Sequence, residues 1–271
     1  MLEKLMSIDR RIVFILVAIA VIIPTLLNVR FPITVSQPTR SVYDFIDELP
    51  PDSTILMAFD YGPSSLAELE PMAAAVLRHC FSKNVRVIGM TLLNVGARLG
   101  DRVMSQTSAE MGAVDGEDYV FLGFRPGGIS VILGMGTAID SVFSADYRGK
   151  PLSEIPMMQD VKNYDHIALV LDLASSGTPS TWIAYINTKY KQQVAAGVTG
   201  VMVSELYPFI QSGQLVGLMP GLLGAAEYET LIDTPEKATA GMSVQSFVHL
   251  LIFVLVVVGN VAFFIQRRRA Q

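Results

Sequence analysis

Thr54-Ile55-Leu56-Met57-Ala58-Phe59-Asp60-Tyr61-Gly62-Pro63-Ser64-Ser65 is the stretch that decides the fold. The run to Phe59 lacks polar alternation, which is the pattern of a strand buried on both faces. An acid then stands where the strand leaves the sheet. Gly62 and Pro63 make a turn, and hydroxyl residues lead into an apolar helical run. The same plan returns later in the chain as Leu171-Asp172-Leu173-Ala174-Ser175-Ser176-Gly177-Thr178-Pro179.

Working outward, strand-like and helical runs alternate. Strands are expected at Thr54 to Phe59, Arg86 to Thr91, Tyr119 to Phe124, His166 to Leu171, Ala195 to Val203 and Gln214 to Leu218. Helices are expected at Ser65 to Phe81, Gly96 to Met111, Gly128 to Phe143, Ser153 to Val161, Pro179 to Gln193 and Gly221 to Ile232. Ser65 and Glu68 have the spacing of a capping box, and Thr178 precedes a first-turn proline as a cap. Strands joined by helices make right-handed crossovers. Residues 51–233 therefore read as an α/β domain with a doubly wound, mostly parallel, Rossmann-like sheet.

Such domains hold ligands beyond the carboxyl ends of their strands. The candidate pocket is lined by Asp60, Ser64, Ser65, Asp172, Ser175, Ser176 and Thr178, because helix N-termini there offer free N–H groups and a positive dipole end. The same Ser, Thr and Asp residues also serve as ordinary caps and turns. Arg125-Pro126-Gly127-Gly128 follows the third strand and faces the same edge, where Arg125 is available to an acid or an anionic ligand. Gly134 and Gly136 suit close helix packing; the surrounding glycines match neither a dinucleotide nor a Walker loop.

Asp60-x-Gly62-x-Ser64 is similar to the Asp-x-Ser-x-Ser metal site of von Willebrand A-type domains. The likeness covers that short segment alone. Gly62 stands where that site has a hydroxyl ligand, so neither a metal nor a cofactor is expected. His79, His166 and His249 have no metal-ligand spacing, and no Gly-x-Ser-x-Gly elbow occurs. Cys80, the single cysteine, reads as a core residue and excludes an intrachain disulfide. Glu227-Tyr228-Glu229 reads as surface acids flanking an inward tyrosine, since residues two apart do not share a helix face.

The chain ends are apolar. Residues 12–29 and 247–265 contain no Asp, Glu, Lys or Arg, and each is about the length of a membrane span. Residues 30–50 and 234–246 then read as linkers, and 1–11 and 266–271 as tails. Lys4, Arg10, Arg11, Arg267, Arg268 and Arg269 outweigh Arg30, Arg40 and Lys237 on the other side, which places both termini in the cytoplasm and the domain outside it. The first run lacks a signal-peptidase site and reads as an uncleaved anchor. Gly259 and Asn260 in the second run are a packing site for another helix: the first span, another copy or another subunit.

Six of the 20 Lys and Arg and two of the 25 Asp and Glu lie in the tails, leaving the middle at net charge −9. Such a surface repels nucleic acid. The expected partners are the plasma-membrane bilayer and other membrane subunits or copies of the chain, with a small-molecule ligand as a further possibility. With no catalytic signature, the first reading is a membrane-anchored binding or assembly module, an accessory or scaffold subunit or a homo-oligomer. The alternative is a membrane-tethered enzyme or solute-binding sensor using the strand-end pocket around Asp60 and Asp172.

Overall fold

The structure, a computed structural model, describes residues 9–27 and 29–269. Lys4 of the first tail, Asn28 of the first apolar run, and residues 270 and 271 of the last tail lie outside the described residues. The chain divides into a central unit, Ile33–Ala238, and a terminal unit drawn from Met1–Pro32 and Thr239–Gln271.

In chain order the helices and strands are α1 (Arg10–Leu26), α2 (Gln37–Asp47), β1 (Thr54–Asp60), α3 (Leu66–Ser82), β2 (Arg86–Thr91), α4 (Asn94–Met111), β3 (Tyr119–Phe124), α5 (Ile129–Met135), α6 (Ile139–Val142), β4 (Leu169–Ala174), α7 (Thr178–Trp182), α8 (Thr188–Tyr190), β5 (Val194–Val198), α9 (Val203–Gln211), β6 (Leu218–Pro220), α10 (Gly221–Leu231) and α11 (Lys237–Arg269). The six strands form one sheet in the order β3-β2-β1-β4-β5-β6, all parallel. The order reverses between β1 and β4, which defines the topological switch point. Every residue of β1, β4 and β5 is buried, as the missing alternation requires.

Both faces of the sheet are covered. On one, α3 packs between α4 and α10. On the other, Leu56, Ala58, Ile88, Met90, Val170 and Ala196 form a core with Val131, Ile132, Trp182, Ile183, Ile186 and Leu206 from α5, residues 178–190 and α9. This is the expected α/β architecture, with corrections in detail. Residues 128–143 make two short helices instead of one, and 153–161 two 3₁₀ turns, Leu152–Glu154 and Pro156–Met158. Residues 183–187 widen into a π turn. The fourth strand starts three residues late, after a 3₁₀ turn, Tyr164–His166, opened by the Asn163 side chain.

The terminal unit departs most from expectation. Among the described residues one helix is long and apolar enough to cross a membrane, Lys237–Ile265 within α11. The N-terminal helix does not reach that standard. It has 17 residues and begins with Arg10 and Arg11. Its charge-free part, Ile12 to Leu26, spans about 22 Å at 1.5 Å per residue, short of a hydrocarbon core of about 30 Å. Within this unit the Phe31 N–H donates to Ser243 Oγ at 3.0 Å, and the rings of Phe31 and Phe247 lie 5.3 Å apart. The expected linker at 234–246 is largely helical. Glu229 is the reason: its carboxylate accepts from the N–H groups of Glu236 and Ala238 at 2.8 and 2.9 Å and caps the start of α11.

Gly96, in the first turn of α4, sets how closely that helix meets the sheet. A Cβ there would overlap the Phe59 carbonyl oxygen and the Thr91 side chain. Alanine is the better helix former by about 1 kcal/mol, yet the backbone carbonyl cannot yield. Gly96→Ala is expected to destabilise the domain by about 1–3 kcal/mol, read as a lower midpoint in thermal or urea unfolding.

Candidate functional site

Alternation along the strands fixes the central pair of side chains. Asp60 follows Leu56 and Ala58 on one face of β1, and Asp172 lies between Val170 and Ala174 on the same face of β4. The register pairs Ala58 with Asp172 and Asp60 with Ala174, so the two carboxyls are diagonal neighbours across the switch point. Both are 0% exposed.

Asp60 Oδ1 accepts from the Leu92 N–H at 2.6 Å and the Thr91 hydroxyl at 3.0 Å. The Ser175 N–H donates to the Asp60 carbonyl at 3.3 Å. Asp60 Oδ2, both oxygens of Asp172, Ser176 Oγ, Thr178 Oγ1, Trp182 Nε1 and Thr199 Oγ1 are buried without a well-formed hydrogen bond. Burial pushes Asp60 up to about 6, against the pull of the Leu92 and Thr91 donors. Asp172 is raised well above the carboxylate range by burial, then by the negative charge of Asp60 beside it. One proton shared by the pair, held mainly on Asp172, relieves the repulsion.

The structure thus brings together Asp60, Asp172 and Thr178, whose buried hydroxyl lies beside Asp172 without a well-formed hydrogen bond. Ser64 is exposed and Ser65 lies in a 3₁₀ turn, Pro63–Ser65; neither makes a side-chain cap. The capping box does not form. Glu68 reaches across the edge instead, where its Oε2 accepts from the Gly200 N–H at 2.9 Å. Thr178 is the first residue of its helix, after Gly177, and not its cap. Trp182, fully buried, was absent from the sequence-derived set. Its signal was present: the single tryptophan stands four residues after Thr178, on the same helix face.

The edge continues past β1 as an open cleft of about 590 Å³, lined by Asn94, Ala97, Arg98, Leu122, Phe124, Arg125, Phe143 and residues 144–147. Arg125 therefore faces a cavity and pairs with no acid among the described residues. Exposed apolar side chains rim the same edge: Val95, Ile129, Val201 and Leu223. Among the described residues no group of three or more His, Cys, Asp or Glu is placed to hold a metal ion.

One other expectation is corrected. Glu227 and Glu229 are about as buried as Tyr228 between them. Glu227 accepts from the hydroxyls of Ser36 and Thr39 and ties down the start of α2. In α11, Asn260 Nδ2 donates to the Val256 carbonyl of its own helix at 2.8 Å, and a Cβ on Gly259 would meet open space. Among the described residues nothing lies within 4 Å of a Cβ on Gly259.

No family model, no curated protein and no solved structure matches this chain. The class it defines is that of a Rossmann-like α/β domain with a helix fit to cross a membrane.

Both carboxyls have folded-state values above the ordinary 3.8, so their stabilising contribution is complete below that value and is lost as pH rises through the folded values. Asp172→Asn removes that loss. Its melting temperature should exceed that of the parent at pH 8 by about 2–4 °C, the shift for roughly 1 kcal/mol, and the gap should close toward pH 4. A variant that gains nothing at pH 8 would show that the pair costs the fold nothing.

Proposed function

We propose that the protein is a membrane-anchored binding and assembly module, an accessory or scaffold subunit of a membrane complex or a homo-oligomer. The observation that carries this reading is the uncovered Gly259–Asn260 face of α11. An amide in hydrocarbon is costly unless it finds a partner, and a glycine beside it lets another backbone approach. The basic tail residues support cytoplasmic termini and an extracytoplasmic domain, with α1 as a second anchor if the bilayer thins locally to match its short apolar length.

The enzyme alternative has less support. Asp60 and Asp172 converge, as it requires, but they are wholly covered, and a catalytic pair must reach its substrate. The solute-binding alternative keeps one favourable observation, the cleft beside Arg125.

The test is the native mass of the full-length protein, extracted from its own membrane in mild detergent. A species clearly above the 29.5 kDa chain, or one with a constant companion, is expected. Asn260→Leu and Gly259→Leu should shift it toward the monomer. A monomer for the parent chain sinks the proposal.

A further inference from the structure

We propose that the cleft at the β2–β3 end of the edge binds a small phosphate-headed organic anion, a phosphate monoester with an aryl or apolar body. This goes beyond the assembly reading and does not depend on it.

Three sets of donors converge there. The first is the start of α4, an 18-residue helix with no side-chain cap. The N–H groups of Asn94 and Val95 make no hydrogen bond among the described residues. The second is Arg98, one turn further on and on the face of Asn94. The third is Arg125, which leaves β3 on the opposite wall. Neither arginine makes an ion pair or hydrogen bond among the described residues. Arg78, Arg102 and Arg148 are paired with acids, whereas Arg98 and Arg125 stand on two walls of one cleft without one.

The acid in the cleft is already engaged. Asp146 Oδ1 accepts from the N–H groups of Arg148 at 2.9 Å and Lys150 at 2.7 Å. Asp101 and Asp115 are held by Arg148. Donors arriving from two walls and a helix end suit a tetrahedral dianion better than a flat carboxylate, which offers two coplanar oxygens. The remaining wall is apolar and aromatic, from Ala97, Leu122, Phe124, Phe143 and Tyr147, and about 590 Å³ leaves room for more than a bare anion.

The experiment is calorimetric titration of the full-length protein in mild detergent with phenyl phosphate, with inorganic phosphate, and with vesicles containing phosphatidic acid. Phenyl phosphate should bind saturably at one site, inorganic phosphate more weakly, and both less well as salt rises. Arg98→Ala and Arg125→Ala should each weaken binding about tenfold or more, as expected for loss of a charged hydrogen bond. Arg125→Lys should retain part of the affinity, which separates a lost contact from a misfolded edge, and Arg40→Ala should change nothing. If vesicles displace phenyl phosphate, and Arg98→Ala abolishes the displacement, the site stands and its phosphate is a lipid headgroup. If vesicles do not compete, the site stands for a soluble ligand. No saturable binding of phenyl phosphate, or unchanged binding in both arginine variants, overturns the proposal whatever the native mass turns out to be.

Discussion

A parallel sheet covered on both faces leaves its side chains no water to face, so polar chemistry is confined to the strand ends. Asp172 breaks that confinement. It stands two residues inside the end of β4, between Val170 and Ala174, where its neighbours are apolar. Asp60, at the last position of β1, meets the edge properly and finds the Leu92 and Thr91 donors. The asymmetry follows from position alone: the carboxyl at the edge is the one with hydrogen bonds, and the one inside the sheet takes the proton. Trp182 and Thr178 then close over the pair from the helix that β4 feeds. At the switch point both carboxyls are therefore withdrawn from the surface.

A second polar core lies on the opposite face and does different work. Glu227 holds the start of α2, and Glu229 the start of α11. Between them Tyr228 shares a hydrogen bond of 2.9 Å with His79 Nδ1, whose other nitrogen lies 3.3 Å from Asp47. Tyr43 stacks on the imidazole with centroids 4.4 Å apart. Burial holds His79 below its usual pKa, against the pull of Asp47. Acids on both sides of one helix turn thus tie down the segments that enter and leave the domain. Their burial is tolerable because each carboxylate has donors.

The strands and the order of elements were legible because burial on both faces leaves a local mark. Arg86–Thr91 and Tyr119–Phe124 have the boundaries the apolar runs suggested. Asp60 and Asp172 were paired by the likeness of two expected strand ends, but β4 runs on past Leu171 to Ala174 and draws Asp172 inside the sheet. What failed was long-range. Glu68 sits at capping-box spacing, yet the Gly200 N–H on another loop takes its carboxylate. Glu227 and Glu229 look like surface acids because their donors are about 190 residues upstream in one case and seven to nine downstream in the other. Arg98 carried no signal at all: its interest comes from facing Arg125 across a cleft that only the folded sheet creates.

The two halves of the edge are joined by one short segment. Thr91 and Leu92 supply the donors of Asp60, and Asn94, two residues further on, lines the cleft. Gly96 presses this turn against the Phe59 carbonyl, directly before Asp60, and Thr91 is held again by the Leu93 N–H at 3.0 Å. The turn therefore has little freedom to adjust on one side without moving on the other. Its amides favour negative charge at both places, as a helix N-terminus does. On the β1 side that charge is built in and sealed; on the β2–β3 side the same kind of donors face an open cleft with two unpaired arginines. The fold has satisfied one end of the α4 turn with its own carboxylate and left the other for an anion from outside.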